Sequence, residues 1–282
     1  MRLPLKPVAH ATIAACLAAT AALLAACVTT GGRETAANAL DLILAGNQRP
    51  AADRSRDRYL HPKDTLLFFG IRPDTHVLEV WPESGWYTKI IAPLVQAKGS
   101  YVAAVIAPDR GSRFLQARLA SYHRLLTSRP DAYAGVKVVT FPLDGADVVP
   151  PGSVDMVLSF RDLHEWMALG AAQQALATIY RALAPGGVFG VVDNRGHPGM
   201  PQDPTAKSGY VRQDYAIRMI EGAGFRLVAS SQINANPKDT RNYLAGVWTL
   251  PPDYRLGDID RAKYAAIGES DRFTLKFVKP GN

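Results

Sequence analysis

The side chains best suited to chemistry gather in short segments that each follow an apolar run. Val77-Leu78-Glu79-Val80 sets one carboxylate inside such a run, and Trp81-Pro82-Glu83-Ser84-Gly85 follows it as a turn cluster. A buried acid is costly without a partner, so Glu79 needs one. A small-residue turn between a strand and a helix aims backbone N–H groups at whatever lies above it, which is how α/β folds hold nucleotides and their relatives. Glu83 in that turn is placed to satisfy a helix N-terminus itself. A second run closes in Ser159-Phe160-Arg161-Asp162-Leu163-His164-Glu165-Trp166. His164 offers an imidazole that titrates near neutrality, hence a general base. Arg161 offers a guanidinium either to an anionic substrate or to Glu83, Glu79 or Asp162, and an ordinary ion-paired helix start is the alternative for Asp162–Glu165. A third run ends in Asp193-Asn194-Arg195-Gly196-His197. Asp193 and His197 make an acid–base pair across a site, or His197 is a surface loop residue. Tyr210, in Ser208-Gly209-Tyr210-Val211-Arg212, either closes a pocket or packs on the core.

These segments need a scaffold that brings them to one edge. The pattern predicts strands at Val77–Trp81, Tyr101–Ile106, Val136–Phe141, Val154–Phe160, Val188–Val192, Phe225–Ser231 and Phe273–Val278. Between them it predicts helices over Trp86–Gln96, Arg110–Leu126, a segment marked by Leu176, Ile179, Tyr180 and Leu183, and Asp214–Gly222. Ala184-Pro185-Gly186-Gly187 reads as a sharp turn. Continuous apolar strands alternating with helices argue for a parallel sheet covered on both faces. Helical pieces are expected at Ala36–Ala45, Arg54–Asp57 and from Pro62 to Gly70, with a Pro-containing break over Gln48–Asp53. Residues Asn234–Asp271 read as an insertion with a helix near Asp258–Ile267.

Composition narrows the function classes. The 282 residues are 48% apolar and 20% charged, with 32 Lys and Arg against 25 Asp and Glu, a formal charge of +7. No long run of like charge occurs and basic residues are not interleaved with aromatics, so nucleic acid is not an expected partner. The histidines are scattered and no His/Cys/acid spacing suits a metal. No nucleophile-elbow pattern is present.

Three segments together resemble class I S-adenosylmethionine (SAM)-dependent methyltransferases: VLEVWPESGWYT at Val77–Thr88, DMVLSFRDLHEW at Asp155–Trp166, and IYRALAPGGVFGVVD at Ile179–Asp193. With SGYVRQDY at 208–215 and NANPKD at 234–239, the chain is similar to a group of predicted methyltransferases carrying a WP dipeptide in the first loop. The resemblance covers roughly residues 50–280. It implies one doubly wound, Rossmann-like, mainly parallel seven-stranded α/β sheet with N-terminal helices, strand order three, two, one, four, five, seven, six, and the last strand antiparallel. It implies SAM as methyl donor with no metal required. Cofactor contacts would come from Glu79, Trp81, Glu83, Ser84, Gly85, Asp109, Asp144 and Arg161, and catalysis from His164, Asp193 and Tyr210. The chain departs from the family pattern in specific places. Trp81 and Glu83 stand where the first two loop glycines stand, and only Gly85 remains. Val105 stands where an acid holds the ribose; Asp109 either substitutes or caps the next helix, and Asp144 either meets adenine or forms an Asp-Gly turn.

The first 26 residues look like an export signal. Arg2 and Lys6 precede an Ala-rich apolar run, which ends in Leu24-Ala25-Ala26-Cys27, similar to a bacterial lipobox. That predicts acylation of Cys27, a tether and helical segment over 27–60, and a methyltransferase-like domain over 61–282. It also predicts a periplasm-facing, lipid-anchored location, at the outer membrane if Gram-negative. Cys27 would be the only cysteine left, so no internal disulfide is expected. Two functions follow: methyl transfer to a small-molecule or cell-envelope acceptor, or an exported non-catalytic binding or scaffold protein on a degenerate methyltransferase fold.

Overall fold

The structure, a computed structural model, describes residues 32–107 and 112–281; the signal segment, Cys27 and Asp109 lie outside the described residues. It opens with a helix α1 over residues 32–45 and two single-turn helices, α2 (Ala51–Arg54) and α3 (Asp57–Leu60). α4 (Pro62–Phe69) starts on a helix-compatible proline and stops at Gly70, whose φ of 88° the missing Cβ permits.

Strands and helices then alternate: β1 (His76–Val80), α5 (Thr88–Val95), β2 (Ser100–Ile106), α6 (Arg113–Ser128), α7 (Pro130–Tyr133), β3 (Val136–Phe141) and β4 (Val154–Phe160). After β4 come α8 (Leu163–Ala168), α9 (Ala172–Ala182), β5 (Leu183–Asn194), α10 (Gln213–Gly222), β6 (Arg226–Ser231), α11 (Arg261–Ile267) and β7 (Arg272–Val278). The sheet order is β3-β2-β1-β4-β5-β7-β6, with β7 antiparallel to both neighbours. This is the mainly parallel seven-stranded methyltransferase fold that the sequence implied.

The sheet is apolar on both faces. Leu78 and Val80 of β1 pack with Val157, Leu176, Ile179 and Phe189 on one side. Val77 packs with Ile90, Ile91 and Leu94 on the other, in a cluster that also takes in Leu40, Leu60, Leu66 and Phe69 from the N-terminal helices. Alternation along β1 sets Glu79 on the same side as Val77.

Several boundaries differ from expectation. β5 begins at Leu183 and runs through the Pro-Gly-Gly turn, because Leu183 pairs with Val154 before the register shifts. α6 begins at Arg113, where the Ser112 hydroxyl accepts the Leu115 N–H at 3.3 Å as its N-cap. Residues 51–60 form two separate helical turns where one short helix and a break were expected. Among the described residues no helix is long and apolar enough to cross a membrane.

Candidate functional site

The carboxyl ends of β1, β4 and β5 converge with the segment that precedes β7. In the loop after β1, Trp81, Glu83 and Gly85 have φ of 46°, 50° and 72°. These are the three positions at which the resembling family has glycine. An L-residue pays about 1–2 kcal/mol for the left-handed conformation, so this loop keeps a glycine-type backbone with two side chains in it. Neighbours hold it there. The Trp81 N–H donates to the Ala104 carbonyl at 2.8 Å, extending the β1–β2 pairing, and the Gly85 N–H donates to Pro82 at 2.7 Å. The Trp81 ring packs edge-on against Phe141 and Trp166 and is 6% exposed. A Cβ on Gly85 would lie 2.3 Å from Leu125 Cδ2 and 3.1 Å from Tyr122, so that glycine serves packing against α6. Among the described residues the N–H groups of Glu83 and Ser84 donate to no protein acceptor.

Glu83 does not cap α5, which begins only at Thr88, and it does not pair with Arg161. Its carboxylate meets Arg118 of α6 at 2.7 Å. Glu79 finds its partner in the Tyr101 hydroxyl, and Tyr101 continues through Thr88 (2.9 Å) to Tyr122 (3.0 Å). Burial pushes the Glu79 carboxyl up to about 8 against the opposing pull of the Tyr101 bond, so at neutral pH the acid is mostly protonated. The loop therefore rests on a nearly neutral hydrogen-bonded layer.

At β4 and β5 the sequence-singled residues do meet. His164 Nδ1 lies 2.8 Å from Asp193 Oδ1, the His164 N–H donates to Asp193 Oδ2 at 3.0 Å, and the Asn194 N–H donates to Oδ1 at 2.6 Å. Burial by itself would push the His164 imidazole down, but Asp193 and then Glu165, 3.6 Å from Nε2, carry it up to about 10. At neutral pH His164 is thus an oriented imidazolium rather than a free base. Asp162 is structural: it accepts from Ser159 Oγ at 2.8 Å and from the Phe160 N–H at 3.2 Å.

Other expected residues fall elsewhere. The Tyr210 hydroxyl donates to Asp239 at 3.0 Å and so ties the start of the insertion to the body. Tyr210 lines none of the cavities described below, because Asp239 draws its hydroxyl to the insertion. His197 is exposed, with Nδ1 accepting the Gly199 N–H at 3.1 Å, and makes no pair with Asp193. Asp144 is exposed and accepts the Ala146 N–H at 3.0 Å, an Asx turn.

Three cavities surround these groups. A narrow cleft of about 40 Å³ lies between Trp81, Val105, Ile106 and the α6 residues Leu115, Leu119 and Tyr122. A loop cavity of about 60 Å³ is lined by Glu79, the first loop, Arg56, Arg161 and Arg272. An outer cavity of about 370 Å³ is lined by Arg161, His164, Glu165, Asn194, Trp248 and Arg272 among others. Sequence reasoning missed Arg56, Arg118, Trp248, Glu269 and Arg272. Glu269 accepts from Arg272 at 2.6 Å and from Arg56 at 2.5 Å, a contact between residues 213 apart in the chain that local pattern could not reveal. Burial opposes ionisation of Glu269, yet Arg272 and Arg56 hold its carboxyl down at about 2. Among the described residues no group of His, Cys, Asp and Glu is arranged to hold a metal ion.

No family profile matches the chain and no curated protein matches it by sequence. Solved structures do. A SAM-dependent methyltransferase from Aquifex aeolicus is 15% identical, with 80% of this chain and 93% of that one covered at a TM-score of 0.55. The [4+2]-cyclase SpnF is 16% identical, with 84% and 86% covered at a TM-score of 0.57. These likenesses show the fold. That one neighbour is a methyltransferase and the other a cyclase means the reaction has to be argued from the site.

Proposed function

We propose that this chain is a SAM-dependent methyltransferase acting on a small-molecule or cell-envelope acceptor, anchored by lipid at Cys27 on the periplasmic side of the envelope. The observation that carries the reading is the first loop. Left-handed backbone at Trp81 and Glu83 is costly, and strain of this kind persists where the surroundings impose it and gathers at functional sites. Arg161, following β4, shares this conformation with φ of 72°, and of the eight described non-glycine residues with positive φ these three line the loop cavity.

The residues suit the donor in part. The N–H groups of Glu83 and Ser84, without an acceptor among the described residues, are donors for a carboxylate, and the largely protonated Glu79 beneath the loop adds little repulsion. When bound, SAM would supply an electrophilic methyl group on a sulfonium sulfur. The protein's share is positioning. Asp193 fixes the His164 ring, and His164 Nε2 offers an N–H to an acceptor in the outer cavity. As an imidazolium it orients the acceptor and does not abstract a proton. An acceptor already carrying a free lone pair suits this site best.

A second reading, an exported binding or scaffold protein on the same fold, is favoured by Trp81. Its ring sits among Phe141 and Trp166, and beside it Val105 and Ile106 leave the narrow cleft with no acid from β2. An exported enzyme would also need SAM outside the cytosol. Calorimetric titration with SAM separates the two. The methyltransferase reading expects saturable binding to the mature chain, strengthened in Trp81→Gly if the ring obstructs the donor. Binding in neither protein would put the second reading in its place.

A further inference from the structure

Arg272 is the first residue of β7 and pairs in register with Asn194 at the end of β5. Its side chain is 1% exposed, yet after Nη2 bonds Glu269 its Nε and Nη1 have no acceptor among the described residues. Buried charged donors without acceptors are rare and costly. Beside it, Arg161 has no ion pair or side-chain hydrogen bond among the described residues, while its N–H is fastened to the Val192 carbonyl at 2.7 Å. Both arginines line both the loop cavity and the outer cavity. Among the described residues no nearby acid pairs with Arg161, and neither Glu165 nor Asp253, which also line the outer cavity, forms an ion pair with either arginine. Glu269 is shared between Arg272 and Arg56, Glu83 is matched by Arg118, and Asp193 by His164.

We propose that Arg161 and Arg272 form an oxyanion subsite that takes a carboxylate or phosphate group of the methyl acceptor and holds the acceptor in the outer cavity beside His164. This rests on the methyl-transfer reading. Guanidinium groups with free N–H edges suit planar carboxylates and phosphates. The acceptor, rather than the donor, is the fitting owner of the anion for two reasons. The donor's carboxylate already has the Glu83 and Ser84 N–H groups in the first loop. The outer cavity, in contrast, is built by the ends of β4 and β5 and by Trp248, Asp253, Arg255 and Ser270 of the insertion, so the two arginines stand where the acceptor must enter. The acceptor class is then a small organic acid or a phosphomonoester.

The test is calorimetric titration of the mature chain with inorganic phosphate and with acetate, at constant ionic strength, with and without saturating SAM. We expect saturable binding of at least one anion, with the stronger of the two naming the acceptor's group. Affinity should fall about tenfold or more in Arg161→Gln and fall less in Arg161→Lys, which keeps the charge but loses the guanidinium fork. Arg226→Gln, on exposed β6, should leave it unchanged, which separates a built site from general surface charge. Arg272→Lys, which keeps the charge facing Glu269, serves as the second variant, and circular dichroism checks its fold. No saturable anion binding, or equal loss in Arg226→Gln, would overturn the inference. Displacement of the anion by SAM would assign the arginines to the donor and overturn it as well. Anion binding that persists while SAM fails to bind would end the methyl-transfer reading and keep the oxyanion subsite.

Discussion

Glu83→Gly and Glu83→Ala differ by one methyl group and should move stability in opposite senses. In an ordinary loop glycine is the worse residue by about 0.5–1 kcal/mol, because the unfolded chain gains freedom. At position 83 φ is 50°, where a Cβ costs about 1–2 kcal/mol. Both variants lose the contact with Arg118, and with side chains 46% and 34% exposed that pair contributes about 0–0.5 kcal/mol. Alanine therefore keeps the strain and loses the pair, and should be slightly less stable than wild type. Glycine releases the strain, and the balance leaves it about 0.5–1 kcal/mol more stable than the alanine variant. Urea denaturation with a common m-value reads the difference. The same pair reports on the ligand. If SAM binds at the loop, removing the Glu83 charge should favour its carboxylate by about 1 kcal/mol, roughly fivefold in Kd, in both variants. A glycine variant no more stable than alanine would show that the left-handed backbone is not adopted, and the main support for the methyltransferase reading would go with it.

Gly85→Ala should destabilise by about 2–4 kcal/mol, since it adds left-handed strain to a close contact with Leu125; thermal or urea unfolding measures it. The folded His164 titrates near 10, above its ordinary value of 6.5, so its contribution is complete below pH 6.5 and fades as pH rises through 10. His164→Gln should flatten the fall of stability over that window, in unfolding followed from pH 6 to 10. Glu79 acts in the same sense, contributing most below its ordinary 4.5 and losing that contribution as pH rises through about 8, so Glu79→Gln should gain relative to wild type at pH 9. Cys27→Ser should release the protein from the membrane fraction or leave it unprocessed, and a native N-terminus that is Met1 without acylation would refute the anchor.

The fold was legible because its signals are local. Each strand is a short apolar run bounded by turn residues, and the helices of the sheet show apolar positions at their own spacing, so the alternation and its parallel sheet follow. The misreadings lie where a tertiary contact overrides a local sign. Ala184-Pro185-Gly186-Gly187 has turn composition, yet the chain pairs from Leu183 because Val154 offers a register partner. The alternative of an ordinary ion-paired helix start at Asp162–Glu165 fails for Asp162 and His164, both buried: Asp162 is held by Ser159 and the Phe160 N–H, and His164 by Asp193 from β5.

The site was legible only as far as the strand ends reach. The first loop, Arg161, His164 and Asp193 could be named because each sits at or just beyond the end of an apolar run, and Glu79 because it is an acid inside one; the fold must bring those strand ends together. Charge state was not legible in that way. His164 looks like a base in sequence and is held as a cation by Asp193 and Glu165; Glu79 looks like an anion and is held largely neutral by burial. The arginines that close the site come from both ends of the chain. Arg56 arrives from the N-terminal helices and Arg272 from the last strand, and only their shared partner Glu269 explains why both are there. One carboxylate between two guanidinium groups, with Arg161 unpaired among the described residues beside them, leaves positive charge facing the cavities. A molecule that binds here has to supply the missing negative charge, which makes the chemistry of the ligand a consequence of contacts that no local stretch of the sequence contains.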